Sequence, residues 1–456
     1  MPLATTFAGD SARAEGLFSS VVSLGGNYWS ATLTGTFNPP NDLAKSIKVD
    51  SSGNIYVAAR GTYNDGGNAG NQLSVSKYNS SGVVQWQKTF GNSSIGLGLD
   101  IDSSGNVYVC GVENAFPFLL LITKWDNSGT FQWAKNAVDG SKGPVDTGQS
   151  VAVDSLGNVY VCGGATGSTF ISKWNSSGTI QWQRTLNDPN SGGSGLGISV
   201  DSSGNVYVTG YGSINSAGTQ TIISISKWDT SGTLQWQRTL KDPSSGPAAQ
   251  GTNIALDNSG NIYVCGYGLD SSLYNVLSIS KWNNSGTLQW QSSLRDTYST
   301  PLTKGYGVSV DSSGNVYACG TGKNSSNQSV MSISKWNNSG SILLQRTITD
   351  SYLTPSDQAN AITVDNSGNM YVAGYITNST GNQVMSISKL PTDGSRTGTY
   401  LGLTFGITYA TSSWTASTTS WTAATSTWTT ATSTLTISTS SGTSATSTYT
   451  TDQVTL

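Results

Sequence analysis

A short motif that recurs seven times constrains this chain more than any other feature of its sequence. The segment that runs from Asp201 to Tyr207, DSSGNVY, has counterparts that begin at six other aspartates, 47 to 56 residues apart: Asp50, Asp102, Asp154, Asp257, Asp311 and Asp365. Self-similarity at a period of this size predicts a repeat architecture, in which each repeat folds as one supersecondary unit.

Each repeat contains four short candidate strands, labelled a to d, and two glycine-bearing turns. In the repeat of Asp201 these strands cover 197–201, 205–209, 221–228 and 233–240. The a–b and c–d turns begin with Asp or Asn and end with Gly, which suits a type I turn followed by a left-handed residue. Four evenly spaced strands make one antiparallel blade. The sequence therefore predicts an all-β fold, a seven-bladed β-propeller of four-stranded antiparallel blades.

The repeated segments DSSGNVYV and, in consensus form, SISKWNSSGTLQWQ resemble the SBBP-type β-propeller repeat. That repeat is seen in bacterial surface proteins and in bacteriophage virion proteins, and the resemblance covers residues 29–400. It implies a propeller fold, but it implies little about chemistry because propellers host many functions.

The two ends of the repeat region predict how the propeller closes. Trp29-Ser-Ala-Thr-Leu33 matches the d-strand segment Trp236–Leu240 but has no a, b or c strand before it, whereas the seventh repeat supplies those three strands over 361–389. We expect the N-terminal strand to complete blade seven, which leaves no open edge; the alternative is completion by 401–409. The domains are then an N-terminal arm (1–28), the propeller (29–400) and a C-terminal tail (401–456).

Two repeated residue types are best explained by packing. Tryptophans recur eight residues apart across the c–d hairpin, at 125/133, 174/182, 228/236 and 282/290, and packing between blades is favoured over a sugar-binding platform. The four cysteines occupy one small-residue position of strand b, and buried, inert thiols are expected because equivalent positions on different blades lie too far apart for a disulfide: Cys110, Cys162, Cys265 and Cys319.

A lysine precedes the c–d turn of every repeat, at the rim that carries the motif aspartates. Mutual pairing of lysine and aspartate is expected there, in preference to a positive annulus for an anionic ligand. The lysines are Lys77, Lys124, Lys173, Lys227, Lys281, Lys335 and Lys389.

Composition argues against several classes of function. Only 10% of residues are charged, the net charge is −3 and histidine is absent. A nucleic-acid binder needs a basic surface, and histidine is the commonest general base and metal ligand. With no unique acid cluster pointing inward, the sequence predicts no enzyme and no catalytic, cofactor-binding or metal-ligating residues. The N-terminus lacks the pattern of a Sec signal peptide, and no run of about 18 apolar residues predicts membrane insertion.

The motif turn also has a calcium interpretation. Calcium takes six to eight oxygen ligands, usually from several carboxylates, and each turn offers one. A turn capped by its own aspartate side chain is therefore favoured over a calcium site, and no cofactor is expected.

The rim opposite the motif turns is the candidate binding surface. The b–c and d–a loops that form it vary in length and content between repeats, and function tends to lie on variable loops carried by a rigid scaffold. The candidate binding residues are Tyr63, Asn64, Phe116, Tyr274 and Tyr298.

The C-terminal tail has a seven-residue period. Trp414, Trp421, Trp428 and Leu435 are seven apart, and Ala410, Ser417, Ala424, Ala431 and Ser438 follow the same spacing. An a/d heptad predicts a small-residue coiled coil, whereas abundant Ser and Thr favour a β-type fibre; a flexible linker is the third alternative. The strict period favours ordering against copies of the chain or another subunit.

Taken together, these features favour a non-enzymatic structural protein of a bacteriophage virion, such as a tail fibre, spike or capsid-surface component. In this hypothesis the propeller is a recognition or spacer head for a host glycan or protein, and the tail binds itself or other virion subunits. The alternative is an extracellular or cell-surface adhesion or carbohydrate-binding propeller of a bacterium. The expected partners do not include nucleic acid or a membrane.

Overall fold

The structure is a computed structural model, and it describes residues 18–453 apart from short gaps. These gaps are 26, 35–40, 66–67, 92–93, 114–118, 139–146, 166, 189, 191, 214, 216–219, 242–248, 297–301, 351–355, 379, 402–405, 412–414, 418–421, 425–428, 433–435, 440–443 and 447–449. No helix long and apolar enough to cross a membrane occurs among these described residues.

Seven antiparallel four-stranded sheets form the blades, as the repeats predict. The strands of blades one to three are β3 (Leu43–Val49), β4 (Ile55–Asp65), β5 (Asn68–Tyr78), β6 (Val84–Phe90), β7 (Ser94–Ile101), β8 (Val107–Glu113), β9 (Leu119–Trp125), β10 (Phe131–Val138), β11 (Thr147–Val153), β12 (Val159–Ala165), β13 (Ser168–Trp174) and β14 (Ile180–Asn187). Those of blades four to six are β15 (Ser194–Val200), β16 (Val206–Ser213), β17 (Thr221–Trp228), β18 (Leu234–Lys241), β19 (Gln250–Leu256), β20 (Ile262–Leu269), β21 (Asn275–Trp282), β22 (Leu288–Arg295), β23 (Lys304–Val310), β24 (Val316–Lys323), β25 (Ser329–Trp336) and β26 (Ile342–Asp350).

Blade seven takes its four strands from both ends of the repeat region. It consists of β27 (Gln358–Val364), β28 (Asn369–Thr377), β29 (Gln383–Pro391) and the N-terminal strand β2 (Tyr28–Thr34). β2 pairs antiparallel with β29, and the Ser30 and Ser388 hydroxyls share a buried hydrogen bond of 2.9 Å. The predicted closure is confirmed. The alternative, completion by 401–409, is wrong because β31 (Gly406–Thr411) pairs with β26 of blade six.

The core is divided into seven clusters, each packed between two adjacent blades. Both faces of a blade are covered, so strands b and c are buried on both sides. In β17, for example, Ile223 and Ile225 alternate with buried Ser224 and Ser226. The small serines let blades approach closely, and Ser226 Oγ accepts a hydrogen bond from Trp228 Nε1 (2.9 Å).

The innermost strand of every blade carries a β-bulge near its start. In β3 the pairing shifts between Ala44 and Ser46, and in β23 between Gly305 and Gly307. A bulge re-aims the extra residue, and the residues so placed include Lys45 and Tyr306. These bulges lie towards the rim of the b–c and d–a loops.

Further strands flank the outer edges of the blades. β1 (Phe18–Gly25) lies within the predicted N-terminal arm and forms a hairpin with β2. The tail contributes β30 (Gly398–Leu401), β31, β32 (Thr415–Ser417), β33 (Thr422–Ala424), β34 (Thr429–Thr432), β35 (Thr436–Thr439), β36 (Ser444–Thr446) and β37 (Thr450–Gln453). The bulky positions Trp414, Trp421, Trp428 and Leu435 lie outside the described residues, and the coiled-coil and fibre alternatives stay predictions.

Candidate functional site

The a–b and c–d turns form one rim of the propeller, here called the turn rim, and their geometry is structural. Asp201 Oδ1 accepts hydrogen bonds from the amides of Ser203 (3.0 Å) and Asn205 (2.9 Å). Its Oδ2 accepts from Asn205 Nδ2 (2.8 Å) and from the Tyr207 hydroxyl (3.0 Å). The other six motif turns repeat this set. The carboxylate is thus occupied by its own turn, in line with the capped-turn interpretation.

The d-strand tryptophans connect adjacent blades at the turn rim. Trp182 Nε1 donates to the Thr230 carbonyl of the next blade (3.0 Å), and its ring packs on Gly232. The same contact recurs around the ring, and Trp29 makes it across the closure to Ser80 (3.3 Å). The c-strand tryptophans, such as Trp228, are fully buried. The packing interpretation of the tryptophans is confirmed.

The rim lysines do not pair with the motif aspartates as predicted. Lys124 Nζ donates to the Ser176 carbonyl of the next blade (3.0 Å), and Lys77 donates to the Asn127 side chain. Each ammonium also lies over the ring of a motif tyrosine, at 5.0 to 5.8 Å from the centroid. The expected pairing is wrong because each carboxylate is already filled by its own turn, and six of the seven lysines donate instead to the neighbouring blade.

The four cysteines are free and buried, as predicted. Burial raises the pKa of the Cys110 and Cys265 thiols to about 12, and it raises the pKa of Cys162 and Cys319 as well. Thiols held protonated in this way are poor nucleophiles and metal ligands.

The central channel contains one pair of opposite charges. The innermost strands surround a cavity of about 300 Å³, where Lys48 Nζ lies 3.1 Å from Asp100 Oδ1. Asp100 Oδ2 also accepts the amide of Val153 (2.8 Å). Within the described ranges, three or more His, Cys, Asp or Glu side chains are nowhere grouped to hold a metal ion.

The b–c and d–a loops form the opposite rim, here called the loop rim, where the candidate binding residues were predicted. Tyr274 follows the b–c turn of blade five and is 42% exposed. Tyr63 and Asn64 lie near the end of β4, where they pair with Gly70 and Ala69, and their side chains lie outside the described part of the structure. Phe116 and Tyr298 lie in undescribed loops. The binding role of all five residues stays a prediction.

Exposed apolar side chains cluster around Tyr274. Leu273, held at φ 64°, is 65% exposed, and Leu302 in the following d–a loop is 37% exposed. A β-bridge between Asn275 and Leu302 brings the two loops together. We call Leu273, Tyr274 and Leu302 the blade-five patch.

A charged pair supports this patch from below. The Arg295 guanidinium lies 5.4 Å from the centroid of the Tyr274 ring and 2.6 Å from Asp270 Oδ2. Cation–π contact and the ion pair together fix the orientation of the tyrosine ring. Tyr274 is therefore held in place by side chains of its own blade.

Four successive blades contribute a row of half-buried tyrosines near the loop rim: Tyr211, Tyr267, Tyr306 and Tyr375. The rings of Tyr267 and Tyr306 are 6.3 Å apart and steeply inclined, and Lys304 Nζ lies 4.6 Å above the Tyr267 ring. Burial raises the pKa of all four phenols and lowers the pKa of Lys304.

Sequence reasoning missed a set of buried aspartates beneath the loop rim: Asp42, Asp188, Asp296 and Asp357. Asp42 Oδ1 accepts the amide of Thr62 (2.8 Å), and Asp296 Oδ2 accepts the amide of Lys323 (3.0 Å). Each thus ties a d–a loop to the end of strand b in the following blade. The sequence signal that could have identified them is an aspartate that recurs in d–a loops whose other residues differ.

Comparison with known proteins supports the repeat assignment and the fold. Residues 140–170, 181–216 and 245–273 match the SBBP family, described as a β-propeller repeat. No curated protein matches the chain.

Three solved structures illustrate the range of proteins with a similar fold. The polysaccharide lyase Uly1 is 10% identical (TM-score 0.44, covering 76% of this chain and 90% of that one). A polysaccharide lyase described as an ulvan lyase is 12% identical (TM-score 0.35, 82% and 89%). The tail fibre of a Staphylococcus aureus phage is 10% identical (TM-score 0.25, 77% and 91%). Each likeness concerns the fold.

The prediction that the chain is not an enzyme is wrong, since polysaccharide lyases are among the structures with a similar propeller fold. Proton transfer in enzymes is not limited to histidine and acidic residues, because tyrosine and lysine also perform it. The tyrosine row brings such groups together, so composition does not exclude catalysis.

Proposed function

We propose that this seven-bladed propeller of SBBP-type repeats is a recognition head that binds a surface glycan through its loop rim, as a structural component of a bacteriophage particle. The observation that carries the proposal is the difference between the two rims. The turn rim repeats one hydrogen-bonded turn in every blade. The loops of the loop rim vary in length and in side chains between blades, although the b–c turns of blades five to seven share one hydrogen-bonding pattern. The b–c hairpin of blade one is long, since β4 and β5 pair as far as Asp65 and Asn68. The b–c hairpin of blade three is short, since β12 and β13 pair only as far as Ala165 and Ser168.

Blades five and six supply the part of the loop rim best suited to a ligand. Leu302 of the blade-five patch is followed two residues later by Lys304, which covers the Tyr267 ring of the tyrosine row. The segment from Leu302 to Lys304 therefore links the patch to the row, and the two together offer aromatic rings, hydroxyls and one ammonium group. Sugars have apolar faces and polar edges, and a few polar groups among aromatic rings are typical of small-molecule binding sites.

Binding to immobilised glycans from the host surface tests the rim assignment. Tyr274→Ala removes the exposed ring from the patch, and we expect a loss of binding of at least tenfold on a glycan array or by surface plasmon resonance. The matched control is Leu156→Ala, since Leu156 is 83% exposed on a turn of the opposite rim. Equal binding by both variants would contradict the proposal. Because the fold also accommodates lyases, the bound glycan is examined for shortened chains by mass spectrometry.

The particle assignment is tested separately, with antibody raised against the purified chain. Immunogold electron microscopy of phage particles purified from the host culture should label a fixed position on each particle. Labelling of the bacterial surface in cultures free of particles would contradict the virion role but leave the rim assignment intact.

A further inference from the structure

The tail contributes one strand, from β31 to β37, to the outer edge of each of the seven sheets. The seven-residue period of its sequence matches the spacing of the blades. We propose that the tail strands β31 to β37 form a belt around the propeller, with one seven-residue repeat of the tail sequence assigned to the outer edge of each blade. The partner of this segment is then the chain's own set of d strands and not a second copy. The proposal is independent of what the loop rim binds.

The order of pairing gives one circuit around the ring. β31 pairs with β26 of blade six, β32 with β22 of blade five, and β33 with β18 of blade four. β34, β35 and β36 then pair with β14, β10 and β6 of blades three, two and one. The tail thus visits the blades in reverse order and skips none of these six.

The register of the pairing is the same at all six blades. In each d strand the residue three positions after the tryptophan, or after Leu344 in blade six, pairs with a small tail residue. The pairs are Thr347–Ala410, Ser293–Ser417, Thr239–Ala424, Thr185–Ala431, Asn136–Ser438 and Thr89–Ala445. The tail members are seven residues apart throughout, so the period of the tail sequence equals one blade.

Blade seven keeps the same register although its edge is different. There β1 covers the outer edge of β2, and β37 pairs with β1 in parallel. Val21 of β1 pairs with Ala31 on one side and with Gln453 on the other. In blade one the tail residue Thr446 pairs with Lys88. Gln453 lies seven residues after Thr446. The belt therefore reaches the seventh blade after one more repeat.

The composition of the tail suits this role. An open outer strand presents unpaired amides and carbonyls that invite pairing with other chains. An extended segment rich in threonine covers such an edge by backbone pairing. A segment of this composition buries little surface alone, whereas a preformed edge on each blade supplies it with a partner every seven residues.

Engineered cysteine pairs test the register directly. Directly opposed residues of antiparallel strands have Cα atoms about 4.5 to 5.5 Å apart, within the range that a disulfide spans. Thr239→Cys with Ala424→Cys, and Thr185→Cys with Ala431→Cys, are the matched pairs. Thr239→Cys with Ala431→Cys, and Thr185→Cys with Ala424→Cys, are the mismatched controls, built from the same four substitutions. The native thiols are buried and should stay reduced under mild oxidation of the folded chain.

Mass spectrometry of an unreduced tryptic digest identifies each link. The tail after Arg396 contains no lysine or arginine, so it stays one peptide and should be joined to 239–241 or to 185–227 in the matched variants. We expect links within one chain in both matched variants and none in the mismatched ones. Links in the mismatched variants, links between chains, or no link in the matched variants would overturn the belt.

Deletion of one seven-residue tail repeat gives a second test, in which a disulfide should appear that the full chain does not form. Removal of 418–424 places Ala431 where Ala424 stood. The pair Thr239→Cys with Ala431→Cys, unlinked in the full chain, should then form a disulfide. A flexible linker, a coiled coil or a fibre between copies predicts no such exchange, and its absence would contradict a belt with one repeat per blade.

Discussion

At the scale of single residues, the turn-rim glycines serve two purposes. Gly232 has φ +77°, and a Cβ placed on it would lie 2.8 Å from the Trp182 ring of the preceding blade. Gly157 has nearly the same φ, +78°, but its Cβ would meet only Ser176 at an ordinary 3.4 Å. The motif glycines of the a–b and c–d turns look alike in sequence, yet only those of the c–d turns touch a tryptophan.

This difference predicts unequal effects of alanine. Gly157→Ala should cost about 1 to 2 kcal/mol for the left-handed backbone, and Gly232→Ala should cost roughly 1 to 3 kcal/mol more for the collision with Trp182. Denaturant unfolding of both variants measures the difference. Equal destabilisation would show that the Trp182 contact contributes no steric restraint.

At the scale of elements, the strands of the blades could be predicted from sequence because the same pattern of strands and turns recurs in every repeat. The DSSGNVYV segment specifies a turn and a buried strand, and Trp29-Ser-Ala-Thr-Leu33 matches the d strands closely enough to identify the closing strand. The buried aspartates below the loop rim could not be predicted in this way. Asp42 and Asp296 lie in loops that share no sequence around them, and their partners are set by the contact between blades.

The candidate site was predictable only in its location. A variable rim follows from comparing repeats, and Tyr274 was identified there because it is an aromatic residue in a variable loop. The support by Arg295 and Asp270, and the row formed by Tyr267 and Tyr306, require side chains from different strands and blades to meet. A single sequence does not specify such distances. The tail period was ambiguous for a related reason, since seven residues fit both a coiled-coil heptad and the spacing between blades.

The closing strand predicts a large effect from one side chain. Trp29 is buried against Gly82 and donates to the Ser80 carbonyl, so it joins the last blade to the first. Trp29→Ala should cost about 3 to 5 kcal/mol, the usual range for a buried tryptophan, and lower Tm by several degrees. Leu156→Ala is the exposed control and should leave Tm unchanged. A Tm of Trp29→Ala equal to that of the control would mean that β2 does not hold the ring closed.

At the scale of the whole molecule, stability depends on backbone pairing and packing more than on charge. Charged residues make up 10% of the chain, and the repeated contacts between blades run mainly to carbonyls and amides. Such contacts are not screened by ions, whereas exposed ion pairs are.

The low charge predicts weak dependence on salt. Between about 0.05 and 1 M sodium chloride the Debye length falls several-fold, yet we expect Tm to change by no more than a few degrees. Differential scanning calorimetry at a series of salt concentrations measures this. A steep fall of Tm with salt would show that the lysines of the turn rim act mainly through their charge.

Closure by β2 also has a consequence for synthesis of the chain on the ribosome. Ser30 and its partner Ser388 are separated by 358 residues. At about 5 to 20 residues per second, β2 waits roughly 20 to 70 s for β29, the strand that it must join. During that interval its edge is free in a polysome crowded with identical nascent chains, each with the same unpaired edge. Blades one to six can assemble as they emerge, but the ring closes only once β29 has emerged, so β2 is made before blade one and is fixed after blade six.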